Sequence, residues 1–280
     1  MPTVNTELTQ FPPLPAEACL TINRCNVPAR ILGSVPFQLR PQALVLDGVD
    51  ELHSALFNSL HGVNDPARRV QYFRDYMSSA FLLDHPDQAG LNPDGNFPRH
   101  RADYLRVLRG WMFDADSQEA AVLKGWAESR FGLLPRWHLG KLSGCESAQY
   151  HAFQLARARG LYNTNALEAQ LDLLFAFCQF ELRQRLSGLQ TLTLYRGVNS
   201  WGLQEVLGQQ SSQRYQLLLN NVNSFTSSRE GAGTFGDYLL EVQVPLSKLL
   251  YFPRLIPGVL PGEEEYLVIG GVYDVKRLAW

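Results

Sequence analysis

The residue pattern predicts an α+β protein, with a helical N-terminal half packed on a strand-rich C-terminal half. Three observations lead there. Apolar residues recur at helical spacing through residues 47–188. From residue 189 onward, short β-branched or aromatic runs alternate with Gly, Pro and Ser clusters. With 280 residues the chain can bury a sizeable core unaided by disulfides or metal, as one large unit or about two smaller ones. Helices first and strands second argue against repeated βαβ units.

The elements follow in order. Residues 1–46 are rich in proline (Pro2, Pro12, Pro13, Pro15, Pro28, Pro36, Pro41) and read as an extended arm lying on the body. Leu52, Leu56, Phe57 and Leu60 then recur on one helical face. Asp65-Pro66 supplies a cap and a first-turn proline, and Val70, Phe73, Met77 and Phe81 continue one stripe. Residues 85–98 read as a loop around the turn Pro93-Asp94-Gly95. Asp116-Ser117-Gln118-Glu119 has capping-box spacing before the helix AAVLKGWAESRF. A last helix is expected over residues 165–186, stopped by Gly188. TLTLY, YQLLLNNV, YLLEVQV and YLVIGGVYDV read as strands. The expected organisation is an arm (1–46), a helical region (47–188) and a strand-rich core (189–280), the last two either separate or continuous.

Composition narrows the partners. Lys and Arg number 25 against 27 Asp and Glu, and the formal charge of −2 offers no field for non-specific capture of nucleic acid or an anionic membrane. Cys19, Cys25, Cys145 and Cys178 form no CxxC pair and the six histidines are scattered, so no metal site is expected and the thiols read as reduced. No signal-peptide pattern stands near Met1. The most apolar stretch, residues 171–180, carries Asp172 and falls short of the ~20 residues a membrane span needs. A reducing cytoplasm is the expected compartment. GxGxxG and GxxxxGK[ST] are both absent.

Three segments of the strand-rich half carry chemistry. In Tyr195-Arg196-Gly197, alternation puts Arg196 on the face of Leu192 and Leu194, where a charge is costly unless it meets an anion. A structural ion pair and a guanidinium fork on a phosphate or carboxylate both satisfy that demand. Asn223-Ser224-Phe225-Thr226-Ser227-Ser228 is a hydroxyl cluster that follows a strand-like run; such clusters serve as turns and caps, or set hydroxyls along a sheet. Glu263-Glu264-Glu265 runs into the apolar strand Tyr266-Leu267-Val268-Ile269, so Glu263 and Glu265 are expected to face the same way. Two carboxylates on one face can divide labour, one opposing a developing positive charge while the other takes a proton.

Together these segments resemble the R-S-E class of ADP-ribosyltransferases. Arg-Gly on an early strand, an aromatic followed by hydroxyl residues, and Glu-x-Glu entering a strand occur here in the family's order, as YRG at 195–197, FTSS at 225–228 and EEEYLVI at 263–269. TFGDYLLEVQVP at 234–245 is similar to the family's aromatic-x-Gly segment and its following strand. The usual Ser-Thr-Ser is replaced by Thr226-Ser227-Ser228, so the serine role falls on Thr226, Ser227 or Ser224. The resemblance implies an ADP-ribosyltransferase-like mixed or antiparallel β-sandwich and NAD as co-substrate. It implies Glu265 as the catalytic carboxylate, Arg196 holding the phosphates and Gly197 offering backbone groups to the nicotinamide amide. A serine would orient Glu265, and Phe235 would either stack on nicotinamide or serve the core. A glutamate at 263 implies an arginine acceptor.

The stretches ACLTINRCNVPARILGS and DYLRVLRGWMFDADSQEAAVLKGWAESRFGL extend the likeness to one branch, the dinitrogenase reductase ADP-ribosyltransferases of nitrogen-fixing bacteria. That branch implies the nitrogenase iron protein as substrate and a PII signalling protein as regulator. An NAD glycohydrolase, an arginine ADP-ribosyltransferase with another protein acceptor and a non-catalytic NAD-binding regulatory module are the competing readings.

Overall fold

The computed structural model describes residues 11–85, 101–258 and 264–278. Helices occupy the first part: α1 (Ala29–Leu32), α2 (Val35–Leu39), α3 (Val49–Leu52), α4 (Ser54–Leu60), α5 (Pro66–Phe81), α6 (Tyr104–Phe113), α7 (Gln118–Phe131), α8 (Ala148–Gly160) and α9 (Ala166–Arg185). Then come strands β1 (Thr191–Val198), β2 (Glu205–Gln209) and β3 (Arg214–Thr226), the short helix α10 (Arg229–Gly233), and strands β4 (Tyr238–Pro245), β5 (Leu249–Tyr251) and β6 (Glu265–Leu278). The architecture is mixed α+β, as the sequence pattern predicts.

Side-chain caps account for the starts of α5 and α7. The Asp65 carboxylate accepts the Ala67 N–H at 3.0 Å, with Pro66 as the first residue of α5. For α7 the cap is Ser117, whose Oγ accepts the Ala120 N–H at 3.1 Å. Glu119 does not close a capping box; it pairs with Arg106 at 2.9 Å. In the proline-rich segment the chain is helical over α1 and α2, because Pro28 stands just before α1 and Pro36 lies in the first turn of α2, where a missing N–H costs nothing. The expected loop at 85–98 lies, apart from His85, outside the described residues.

All strand pairings are antiparallel, in the order β2-β3-β1-β4-β6-β5. β3 also pairs with β6 along its length, so β1, β4, β6 and β3 form a circuit closed by the single pair Tyr195 and Thr226. A shared buried cluster joins arm, helices and strands, drawing on Leu32, Phe37, Trp126, Phe177, Leu217 and Val272. Two amides sew the parts together. Gln38 bonds the backbone of Asp274 and Gln243, and Asn221 donates to Lys124 O at 2.7 Å and Leu133 O at 3.0 Å. Thus α7 lies on β3, and α6 follows it to the end of the sheet where the three chemical segments meet.

Candidate active site

β1, β3 and β6 converge at one register. Tyr195 lies opposite Thr226 and Thr226 lies opposite Glu265. Ser224, two residues before Thr226, is therefore a diagonal neighbour of Glu265 on the same face. Its Oγ donates a hydrogen bond to Glu265 Oε1. Arg196, beside Tyr195, donates from Nη1 to the Ser224 carbonyl at 2.8 Å, and its guanidinium lies 5.9 Å from the centroid of the Phe225 ring. Burial pushes the Arg196 pKa below its ordinary value, and the charge of Glu265 opposes that shift. The arrangement sets a desolvated cation and a carboxylate within each other's field.

The other hydroxyls do turn and cap work. Thr226 Oγ1 accepts the Ser228 N–H at 3.1 Å, and Ser228 Oγ caps α10 by accepting the Gly231 N–H at 2.9 Å. Ser227 Oγ donates to Glu264 Oε2 at 3.2 Å. Ser224 is thus the serine that contacts Glu265. Glu263 lies outside the described residues.

Gly197 and Gly236 let β1 and the turn after α10 touch backbone to backbone. A Cβ on Gly197 would collide with the Ala232 carbonyl and lie 3.0 Å from Gly236 N, and one on Gly236 would collide with the backbone of Val198. The close contact places Phe235 beside Gly197, and Phe235 is 71% exposed, so it is not a core residue.

One residue at this centre was not singled out by the three segments. Trp111, near the end of α6, donates its indole N–H to Ser224 Oγ at 3.0 Å and to Glu265 Oε1 at 3.2 Å. Its signal in the sequence was faint, an aromatic on the buried stripe of a helix. Behind it stands the buried Lys124, 5.8 Å from the centroid of the indole. Lys124 Nζ donates to Ala115 O at 2.7 Å, Trp137 O at 2.9 Å and Asp116 Oδ1 at 3.1 Å, and sits 3.3 Å from His138 Nδ1. Burial lowers the Lys124 pKa while Asp116 opposes the shift. Burial and Lys124 push His138 down to about 4, so this histidine is neutral near pH 7. Burial is the largest single influence on Asp116 and would raise it, but the charge and hydrogen bond of Lys124, the backbone N–H of Leu139 and the charge of His138 together hold the carboxyl below its ordinary value.

A family profile described as dinitrogenase reductase ADP-ribosyltransferase matches residues 22–277. The chain belongs to that family. It is also 37% identical, over 258 residues, to a Rhodospirillum rubrum protein named NAD(+)--dinitrogen-reductase ADP-D-ribosyltransferase, covering 91% of this chain and 93% of the relative. No solved structure matches. The span shared with the dinitrogenase reductase ADP-ribosyltransferase family holds both halves of the site, Trp111 on α6 as well as Arg196, Ser224 and Glu265 on the strands. Among the described residues, no helix is long and apolar enough to cross a membrane.

Proposed function

We propose that this chain transfers ADP-ribose from NAD to an arginine side chain of the nitrogenase iron protein, inactivating nitrogenase reversibly. The observation that carries the reading is the meeting of Arg196, Ser224 and Glu265 at one register, in a chain whose family and 37%-identical relative are named for ADP-ribosyl transfer to dinitrogenase reductase. The six-stranded sheet is then the ADP-ribosyltransferase sandwich, working in the cytoplasm.

The chemistry breaks the bond between ribose and nicotinamide. The electron pair leaves with nicotinamide, whose positive charge it neutralises, while positive charge develops on the ribose. Glu265 opposes that charge and accepts a hydrogen bond from a ribose hydroxyl. Ser224 orients Glu265. Arg196 fits the pyrophosphate: one amino group is used on Ser224 O, and a guanidinium has five N–H donors to share. Gly197 lends backbone groups to the carboxamide, and the exposed Phe235 ring stacks on nicotinamide. Thr226 and Ser227 support the turn beneath. Glu263 pairs with the incoming guanidinium and takes the proton it loses as the new C–N bond forms. A PII signalling protein binds the proline-rich arm or the helices and sets the activity to nitrogen status.

The test is incubation of labelled NAD with purified iron protein and this chain, with mass spectrometry of the product. An arginine adduct is expected, and Glu265→Gln should cut its formation by about 100-fold or more while leaving the melting temperature within a few degrees. Transfer at the wild-type rate in that variant would sink the assignment. Free ADP-ribose released equally with and without acceptor would instead indicate a glycohydrolase.

A further inference from the structure

We infer that Trp111 is a positioning residue for Glu265, through which the helical half fixes the reacting carboxylate; the inference rests on the transfer reading above. An indole N–H is a donor only, and a buried one needs an acceptor. Trp111 is 3% exposed, and its two acceptors are Ser224 Oγ and Glu265 Oε1. Ser224 Oγ donates to that same Oε1, so the indole, the hydroxyl and the carboxylate form a closed triangle. Two donors on one oxygen hold the carboxyl against rotation about its terminal bond. The Ser224 hydroxyl restrains that rotation less than the indole does, because a hydroxyl turns freely about its own Cβ–O bond.

The ring that carries the donor is itself held. Lys124 lies 5.8 Å from its centroid and is fixed by two backbone carbonyls and Asp116. Trp126 provides an internal contrast. Its indole N–H goes to Asp172 at 2.7 Å, a carboxylate already held by Arg130, so that bond joins helix to helix. The bond from Trp111 crosses 154 residues of sequence to the carboxylate proposed to do the chemistry.

Among the described residues, Arg196 from β1 bears on Glu265 by its charge, and Lys124 from α7 lies against the indole that donates to it. Glu264 and Tyr266, its neighbours in sequence, turn toward Ser227. Trp111→Phe leaves all of these in place and removes one donor to the carboxylate. Loss of a donor disfavours the charged form, so the acid limb of the rate profile should move to higher pH.

The experiment measures nicotinamide release from NAD, in the presence of purified iron protein as acceptor, by the full-length protein as wild type, Trp111→Phe, Glu265→Gln and the double variant. Trp111→Phe should lower kcat about 10- to 100-fold, the worth of one hydrogen bond to a charged acceptor, with KM for NAD changed by less than about threefold. Its acid limb should shift upward, and it should add no loss to Glu265→Gln. Replacing Trp111 by benzothienylalanine, which keeps the ring shape without the N–H, should reproduce these effects if phenylalanine leaves the core underpacked. An unmoved pH profile in both variants, or a further loss in the Glu265→Gln background, would show a tryptophan that serves packing alone and overturn the inference. A wild-type protein that releases no nicotinamide would overturn the transfer reading itself.

Discussion

Lys248 shows what a single residue costs when its charge is buried. Its ammonium is wholly out of solvent, donates to Gly270 O at 2.8 Å and lies 4.5 Å from the centroid of the Tyr273 ring. Burial pushes its pKa from 10.5 down to about 7. The folded pKa is the lower one, so between about pH 7 and 10.5 the unfolded chain binds more protons at this site than the folded one. Its contribution to stability therefore rises with pH across that window, and the full penalty stands below it. Lys248→Met should stabilise the protein at pH 7 by ~1–3 kcal/mol after allowing for the lost bond to Gly270, with the gain fading toward pH 10. Urea titrations at the two ends of the window measure this. A midpoint that falls at pH 7 would mean that the lysine's two contacts outweigh its desolvation.

At the scale of elements, what decides legibility is whether an element has two different faces. α5 buries Val70, Phe73 and Met77 on one side, so its stripe and its Asp65-Pro66 start were readable. α7 is buried nearly all round and α8 buries little beyond Phe153, so neither shows a stripe; the residues around Ser117 mark the start of α7, and the pattern of α8 predicts no separate helix. β2 and β5 are short and lie at the ends of the strand order, which leaves too few residues for an alternation to register. The contact of β1 with the turn after α10 yields a prediction at this scale. Gly197→Ala would drive a methyl into the Ala232 carbonyl, and α10 with Phe235 must retreat from Arg196. Since a shift of ~1 Å can cost ~100-fold, kcat/KM for NAD should fall at least ~10-fold with the sheet intact by circular dichroism. Unchanged kinetics would show that Gly197 and Phe235 have no part in holding NAD.

Across the whole molecule, the site is divided between parts that are far apart in sequence. Arg196 and Glu265 were legible as candidates because each sets a charge against a strand-like run, and the serine cluster because its hydroxyls follow one. Which hydroxyl serves Glu265 was not, because the choice depends on cross-strand register. Trp111 was not either, because its bond to Glu265 spans 154 positions and leaves no local trace. The same division predicts how the chain folds. α7 covers β3 through Asn221, whose amide reaches Lys124 O and Leu133 O, and Cys178 and Gln179 on α9 donate to Leu249 O at 3.4 and 2.8 Å. Cutting the chain at residue 188 would strip both covers and expose Leu217, Val222, Leu249 and Ile269, all buried in the intact protein. Residues 189–280 expressed alone should therefore aggregate or give a collapsed amide spectrum, and co-expression with residues 1–188 should restore a dispersed one together with NAD cleavage. A dispersed spectrum from the isolated strands would mean that the sheet holds its own core and that the helices are an accessory to it.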